Sequence, residues 1–212
     1  MKTLPFKTVL ALSPHTDDME FGCAGTIHRL LRQGAEVYSA VFSLCEESVP
    51  DGLPKDILLT EMYQSAEKLG LKKDNVFVYH YPVRRFSERR QDILEDIVKL
   101  KKQLTPDLIF TPARNDIHQD HEVITRECVR AFRFNSIFAY ELPWNNINFV
   151  ADALIELSPE DVKIKSQAIA CYKSQEFRHY SESDLFKAHA TLRGMQNKTD
   201  LAEAFEVIRL SL

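Results

Sequence analysis

Two short segments of this 212-residue chain are rich in side chains that bind metal ions. SPHTDD at residues 13–18 holds one histidine and two aspartates, and NDIHQDH at residues 115–121 holds two of each. A catalytic zinc takes three protein ligands of these types, leaves a position for water and lowers the pKa of that water to about 7. A nearby carboxylate can accept the water's proton, which is typically worth about 10²–10⁴ in rate. Together the segments predict a hydrolytic metal site.

Each segment also has a plain structural interpretation. An Asp-Asp pair after a strand is often a helix cap or a solvated turn, and His118 and His121 could be exposed residues at the start of a helix. The metal hypothesis is stronger because both segments follow strands of the same predicted sheet. Ligands of open α/β sheets bind outside the carboxyl ends of the strands. The interpretation therefore depends on the elements that position the two segments.

Apolar runs alternate with amphipathic stretches along the chain, which predicts βαβ units. The predicted strands are Thr8–Ser13, Glu36–Ser43, Val76–Tyr81, Leu108–Thr111, Ile137–Leu142, Asn148–Leu157 (a strand or hairpin arm) and Ala204–Leu210. The predicted helices are Gly22–Gln33, Lys55–Leu69, Ser87–Leu104, Asp120–Phe132, Pro159–Tyr172 and Asp184–Met195. We expect a Rossmann-like α/β fold with a mostly parallel sheet. Residues 1–212 should form one domain, because no linker or repeat interrupts the pattern.

Composition narrows the class of protein. The formal net charge of −4 argues against a nucleic-acid-binding module. No apolar run is long enough to span a bilayer, and the apolar start is expected to be a strand rather than a signal peptide. The four cysteines lie far apart in the sequence and form no CxxC motif, which favours the cytoplasm. The oligomeric state stays open, with a homo-oligomer as one alternative.

The segment SPHTDDMEFGCAGTI, together with NDIHQDH, resembles the LmbE-like, or PIG-L, family of zinc-dependent N-deacetylases. That family has a PHPDDE motif after its first strand and an HPDH or HQDH motif after its fourth. LRGMQNKTDLAEAFEVIRL also resembles the family's tail.

The resemblance implies removal of an acyl group, such as acetyl, from an amino sugar of the N-acetylglucosamine (GlcNAc) type. The sugar could be free, a glycoside, or nucleotide- or lipid-linked. Two alternatives share the fold: an amidase acting on a larger sugar conjugate and a catalytically silent sugar-binding protein. A nucleotide-binding Rossmann module is disfavoured, because the acidic PHTDDMEFG stands where a glycine-rich turn is required.

The resemblance also assigns roles to residues. The implied zinc ligands are His15, Asp18 and His121, although Fe²⁺ or Co²⁺ could fill such a site. Asp17 matches the general base, which activates water and returns a proton to the amine. His118 matches the residue that stabilises the oxyanion. Asp120 is expected either to orient His118 or to cap the helix that follows.

The chain departs from the family motif at two positions. Thr16 replaces the usual proline, which should alter the rigidity of the turn rather than the chemistry. Met19 stands where the family often has glutamate, and Glu20 follows one residue later. A carboxylate shifted in this way could tune the metal site or the substrate. We expect catalysis to survive, because the ligand and base positions are intact.

Other side chains near the active edge could contact substrate or have ordinary surface and core roles. These are Glu46, Glu47, Arg84, Arg85, Arg89, Arg90, Tyr140, Glu141, Trp144 and Arg193. Arginines suit phosphate groups but are also common at a solvated helix start. The single tryptophan could stack on a sugar or pack in the core. The histidines without a matching partner are expected to be structural or exposed: His28, His80, His179 and His189.

Overall fold

Strands and helices alternate along the chain, as the apolar pattern predicts. The computed structural model describes residues 2–176 and 183–211. The strands are β1 (Thr8–Ser13), β2 (Glu36–Val41), β3 (Val76–Val78), β4 (Leu108–Pro112), β5 (Ser136–Tyr140), β6 (Ala153–Glu156) and β7 (Ala202–Arg209). The helices are α1 (Asp18–Arg32), α2 (Ile57–Leu69), α3 (Arg90–Leu104), α4 (Gln119–Ala131), α5 (Pro159–Ile169) and α6 (Ser183–Gln196). Short 3₁₀ turns precede β3 and α3.

The strands form one mixed sheet in the order β3-β2-β1-β4-β5-β7-β6. The first five strands in this order pair in parallel, and β7 runs antiparallel to both β5 and β6. This arrangement confirms the expected Rossmann-like, mostly parallel α/β fold. Chain order reverses between β1 and β4, and a crevice forms at such a switch point, outside the carboxyl ends of the strands. Both histidine-rich segments follow these two strands.

Alternate side chains of β1 contribute to hydrophobic cores on the two faces of the sheet. Val9 and Ala11 pack in the core that includes α1, whereas Leu10 and Leu12 pack in the core that includes α3 and α4. The strand is therefore apolar throughout, as expected for a parallel strand covered on both faces. Within the described part of the chain, no helix is both long and apolar enough to cross a membrane.

Helix α1 begins at Asp18, one turn earlier than predicted, so the second aspartate of SPHTDD lies in its first turn. Gly22 in the next turn lies directly against Tyr140 of β5. A Cβ atom on Gly22 would be only 2.2 Å from Cδ2 of Tyr140. The hydroxyl of Tyr140 donates to the backbone oxygen of Leu12 at 3.0 Å. Glycine thus allows the helix to sit close over the carboxyl ends of β1 and β5.

The third strand is shorter than its apolar run. We expected a strand over Val76–Tyr81, but β3 ends at Val78. Tyr79 and Tyr81 continue the pattern because their rings stack on Phe42, with centroids 5.1 and 6.4 Å away. Aromatic packing beyond the strand end therefore produced the same periodicity as a longer strand.

Candidate metal centre

The turn between β1 and α1 is held by its own side chains. The Ser13 hydroxyl donates to the backbone oxygen of His15 at 2.6 Å and accepts from the backbone N–H of Met19 at 3.1 Å. The backbone N–H of His15 donates to Oδ2 of Asp18 at 2.8 Å. These bonds fix the imidazole and the carboxylate of the first segment relative to each other.

The second segment enters α4 through a similar set of bonds. The backbone N–H of His118 donates to Oδ1 of Asp116 at 2.8 Å. His118 is the N-cap of α4, and its Nδ1 accepts from the backbone N–H of Asp120 at 3.2 Å. His121 lies in the first turn of α4 and is buried. The loop and the helix start therefore place both histidines at the crevice.

Three donor atoms from the two segments converge. His15 Nδ1 lies 3.1 Å from Asp18 Oδ2, His121 Nε2 lies 3.2 Å from that same oxygen, and the two nitrogens are 3.2 Å apart. A tetrahedral metal with bonds of roughly 2.0–2.2 Å separates its donors by about 3.3–3.6 Å. The observed triangle is close to that size. The donor set and its spacing therefore fit a zinc-type cation.

Hydrogen bonds on the far side of each ring select the nitrogen that faces the centre. Nδ1 of His121 lies 2.8 Å from Oδ2 of Asp116, and Nε2 of His15 lies 3.0 Å from Oδ2 of Asp120. With the protons on those outer nitrogens, the inner ones present lone pairs to the centre. This arrangement suits the tautomers that metal binding would require, in which the inner nitrogens carry no proton.

The contacts of Asp120 differ from the expected ones. Its carboxylate bonds to His15 rather than to the ring of His118, and it also accepts from the backbone N–H of Arg84 at 2.6 Å. The cap of α4 is His118. Side chains in a helix lean toward its N-terminus, so the Asp120 carboxylate extends past the helix start to neighbouring loops.

The charges around the centre favour a cation. Burial lowers the pKa of His121, but Asp18 and Asp116 raise it more, to about 10. Burial raises the pKa of Asp18, but His121 and His15 lower it far more, well below its usual value. Because a metal must displace protons from these histidines, its affinity should increase with pH.

His118 differs electrostatically from the other two histidines. Burial and the neighbouring His15 and His121 lower its pKa to about 4, so the ring is neutral at physiological pH. Its Nδ1 accepts a hydrogen bond, which places the proton on Nε2 as a donor. His15, His118 and His121 also form a candidate metal group whose ligand atoms lie within 4.8 Å. The oxygen of Asp18 also suits the position of third ligand, because it lies 3.1 and 3.2 Å from the two inner nitrogens.

A cavity of about 320 Å³ opens over this centre. It is lined by His15, Thr16, Asp17, Asp18, Phe21, Cys45, Ser48, Leu58, Val83, Arg84, His118, His121, Trp144, Asn145 and Gln175. Asp17 is buried and is the N-cap residue of α1, next to the candidate ligand Asp18. Trp144 packs edge to face on Phe21, with ring centroids 5.0 Å apart. The cavity therefore brings together every residue to which the resemblance gave a role, except Asp120, which lies behind His15.

The candidate substrate residues separate into two groups. Trp144 and Arg84 line the cavity. Glu46 and Glu47 are exposed and lie outside its lining. Tyr140 belongs to the core.

The remaining candidates make structural contacts. Glu141 is bonded by Arg193 and His189 of α6, which ties the tail to the end of β5. His28 pairs with Asp161, and His80 is exposed. His179 lies outside the described residues.

The shifted carboxylate at Glu20 is buried. Its Oε1 accepts from the Ser65 hydroxyl at 2.7 Å and lies 2.9 Å from the Tyr172 hydroxyl oxygen, and burial raises its pKa to about 7. Met19 is part of the core. The backbone oxygen of Thr16 accepts from the Tyr172 hydroxyl at 2.5 Å, so the turn is held without the usual proline.

Sequence reasoning assigned no role to Asp116, Ser48, Asn145 or Gln175. The signal for Asp116 was present, since an acidic residue next to a metal-binding histidine is a common partner of its outer nitrogen. The three polar lining residues follow other elements and had no recognisable pattern.

Comparison with known proteins agrees with the motifs. The sequence pattern of the family described as PIG-L, GlcNAc-PI de-N-acetylase, matches residues 10–132, more than half of the chain. This range contains both histidine-rich segments and confirms the family resemblance. An uncharacterized deacetylase of Escherichia coli K12, YaiS, is 27% identical over 175 residues, which cover 79% of this chain and 91% of the relative.

Two solved structures show the same fold. N,N'-diacetylchitobiose deacetylase from Pyrococcus horikoshii has a TM-score of 0.81 at 21% identity, over 96% of this chain and 84% of that protein. GalB, the 4-carboxy-2-hydroxymuconate hydratase from Pseudomonas putida KT2440, has a TM-score of 0.76 at 16% identity, over 97% and 98%. Because a deacetylase and a hydratase share this fold, the activity must be inferred from the residues of the site.

Proposed function

Because the chain belongs to the PIG-L family of de-N-acetylases, we propose that it is a metal-dependent hydrolase that removes an acetyl group from the nitrogen of an amino sugar. The observation that carries this proposal is the convergence of His15, Asp18 and His121 in one cavity, at distances that suit a zinc ion. Asp17 and His118 line that cavity as well. The site thus combines metal ligands with a carboxylate base and a neutral hydrogen-bond donor.

The reaction divides between the metal and the protein. A bound Zn²⁺ would supply a water of lowered pKa and would polarise the acyl carbonyl. Asp17 accepts the proton of the attacking water and later donates a proton to the nitrogen of the departing amine. Nε2–H of His118 donates a hydrogen bond to the oxygen that becomes negative during attack. A donor held in this way is typically worth about 10²–10³ in kcat.

The cavity supports a sugar as substrate. Its volume of about 320 Å³ lies at the small end of the range for ligand pockets. Ser48, Asn145 and Gln175 bring polar groups that suit hydroxyls, and Trp144 offers an aromatic surface. Two alternatives remain for the same cavity. One is an amidase acting on a larger sugar conjugate, and the other is a silent sugar-binding protein.

We take Zn²⁺ as the metal, with Fe²⁺ or Co²⁺ as alternatives, because two histidines and an aspartate accept all three. Metal occupancy in a cell depends on availability in the compartment. We place the protein in the cytoplasm, since none of its four cysteines, all within the described residues, is joined in a disulfide. Metal analysis of protein purified from cells grown with defined metals would identify the ion.

Acetate release from a panel of N-acetyl sugars, glycosides and nucleotide-linked sugars tests the activity. We expect the zinc-loaded protein to release acetate and the Asp17→Asn variant to lose at least about 10²-fold in kcat. The variant should still bind one equivalent of metal, because Asp17 is not a ligand. Glu46→Gln, which removes an exposed carboxylate outside the cavity lining, is the matched control and should keep full activity.

The panel also separates the alternatives. If zinc binds and no sugar reacts, calorimetric titration with the same sugars distinguishes the two alternatives. A silent sugar-binding protein should give heat of binding, whereas an amidase of larger conjugates should give none with these small sugars. Activity that survives in Asp17→Asn would contradict the proposed role of Asp17.

A further inference from the structure

Arg84 is the one arginine or lysine among the described residues that lines the cavity. Three other arginines follow β3 in the same stretch, and each is paired with a carboxylate. The pairs are Arg85–Glu88 at 2.9 Å, Arg89–Asp92 at 2.7 Å and Arg90–Glu127 at 2.7 Å. No such pair is found for Arg84 within the described part of the chain. Its exposed guanidinium is thus an unmatched positive charge at the cavity.

The backbone of Arg84 is held in an unusual conformation. Its φ angle is +66°, in the left-handed region that non-glycine residues seldom adopt. The Asp120 carboxylate accepts from its backbone N–H at 2.6 Å, and the Gln119 side-chain amide donates to its backbone oxygen at 2.6 Å. Strained positions of this kind concentrate at ligand sites. Asp120 also holds the metal ligand His15, so one carboxylate fixes both the metal centre and the position of the arginine.

We propose that Arg84 binds a negatively charged substituent, a phosphate or a carboxylate, on the amino-sugar substrate. The proposal rests on the proposed deacetylase function and narrows its substrate class. Arginine suits this task because its planar guanidinium forms two parallel hydrogen bonds with either group. Its partner in the substrate would take the role that Glu88, Asp92 and Glu127 have for the neighbouring arginines.

The position of Arg84 in the cavity supports this assignment. Arg84 lies on the loop after β3, whereas Asp17 and Asp18 lie at the start of α1 beside the candidate metal centre. A bidentate contact with Arg84 would direct the acidic substituent toward the β3 loop and orient the sugar while its acetamido group faces the proposed metal ligands.

The test compares kcat/KM for acetate release from four sugars by zinc-loaded protein. The neutral member is the methyl glycoside of GlcNAc, two members carry phosphate (GlcNAc 1-phosphate and GlcNAc 6-phosphate), and N-acetylmuramic acid carries a carboxylate. We expect wild type to prefer at least one acidic sugar over the neutral one by about tenfold or more. In Arg84→Gln this preference should fall about 10- to 100-fold, since one charge-assisted bidentate contact is lost.

Two further variants control for charge and position. Arg85→Gln removes the neighbouring arginine, which is paired with Glu88. It should leave kcat/KM for the neutral sugar, kcat/KM for the acidic sugars and the ratio of the two unchanged. Arg84→Lys keeps the charge but loses the bidentate geometry, so it should retain part of the preference. The two phosphates and the carboxylate distinguish which acidic group the site accepts.

A binding measurement separates this proposal from the deacetylase proposal. Calorimetry with glucosamine 6-phosphate and glucosamine needs no turnover, and wild type should bind the phosphate more tightly, with the difference reduced in Arg84→Gln. Acetate release from the neutral glycoside without any preference for acidic sugars would overturn the role of Arg84 and leave the deacetylase intact. Equal losses for neutral and acidic sugars in Arg84→Gln would also overturn it.

Discussion

At the scale of the residue, the candidate metal centre is supported by two carboxylates that are not among its proposed ligands. Asp116 bonds to the outer nitrogen of His121, and Asp120 bonds to that of His15. Both are buried, so their charges are little screened by solvent. Each carboxylate increases the electron density on its imidazole and prevents the ring from rotating. The two histidines are thus supported in the same way, one from the loop after β4 and the other from the first turn of α4.

We predict that Asp116→Asn and Asp120→Asn each lower zinc affinity about 10- to 100-fold, because an uncharged amide is a weaker acceptor for the outer N–H of the histidine than a carboxylate. Competition with a chromophoric chelator measures the affinity directly. Asp120→Asn should also weaken the preference for acidic sugars, since it releases the backbone of Arg84. Asp116→Asn should not change that preference.

Asp74→Asn is the control for these variants, because Asp74 is exposed and lies just before β3, at the amino ends of the parallel strands, whereas the candidate metal centre lies at their carboxyl ends. Equal zinc affinity in all three variants and the wild type would show that the two buried carboxylates do not support the metal ligands.

The sequence allowed the ligands to be predicted but not all their contacts. Few residue types bind zinc, so the two segments stood out, and the family resemblance then selected His15, Asp18 and His121 from them as the expected ligands. The partner of Asp120 depends on the path of the β3 loop, and no local pattern encodes that path. The cavity position of Arg84 depends on the same loop, which is why it could not be told apart from the arginines that follow it.

At the scale of the element, α1 must be held firmly because its first turn carries Asp18. A buried aspartate, Asp161 in the first turn of α5, joins the two helices. Its carboxylate accepts from the backbone N–H of Ser158 at 2.8 Å in a capping box and from both Nε and Nη2 of Arg32 at 3.1 Å, and it pairs with Nδ1 of His28 at 2.7 Å. The far end of α1 is thereby anchored to α5.

We predict that Asp161→Asn lowers the free energy of unfolding by about 2 kcal/mol at pH 7, because charge-assisted bonds are lost inside the structure. Burial raises the pKa of Asp161, but bonds from Ser158, Arg32 and His28 lower it more, below the ordinary 3.8. A lowered carboxyl pKa stabilises the fold above 3.8, and this contribution is lost as the pH falls through the lower folded value. The difference between variant and wild type should therefore be constant from pH 7 to 5 and shrink below about pH 4.

Urea titrations at several pH values measure this difference. Glu160→Gln is the matched control, since Glu160 lies in the same helical turn but is exposed. Its ion pair with Lys163 is long, at 3.6 Å, and lies in solvent. A similar loss in both variants would mean that helix charge, rather than the Asp161 contacts, is responsible.

Element positions were predictable where apolar periodicity was strong, and the bounds of β1 matched. The start of α1 was not predictable, because HTDD contains no apolar residue and its pattern is typical of a loop. The first turn is held by Ser13, whose hydroxyl accepts from the backbone N–H of Met19, and the next turn packs through Gly22 on Tyr140, far away in sequence. The order of the strands, including the antiparallel β7 between β5 and β6, likewise arises from pairing between distant segments.

At the scale of the whole molecule, the metal centre joins distant parts of the chain. His15 and His121 are 106 residues apart in sequence, yet their inner nitrogens lie 3.2 Å apart. They belong to the two units that meet at the switch point between β1 and β4. An unfolded chain does not hold the three proposed donors together, so a metal ion bound at this centre would favour the folded state.

Zinc should therefore stabilise the whole fold. At a free zinc concentration 100 times its dissociation constant, the stabilisation is about 2.7 kcal/mol. For a chain of this size, that corresponds to a rise in Tm of roughly 5–10 °C. Calorimetry with and without zinc measures the rise, and a chelator should reverse it. Asp18→Asn and His121→Ala should lose the zinc-dependent rise, whereas His80→Ala, which removes an exposed histidine, should retain it. A zinc-dependent rise that persists in both ligand variants would place the stabilising metal elsewhere in the molecule, and the centre between β1 and β4 would then not be the metal site.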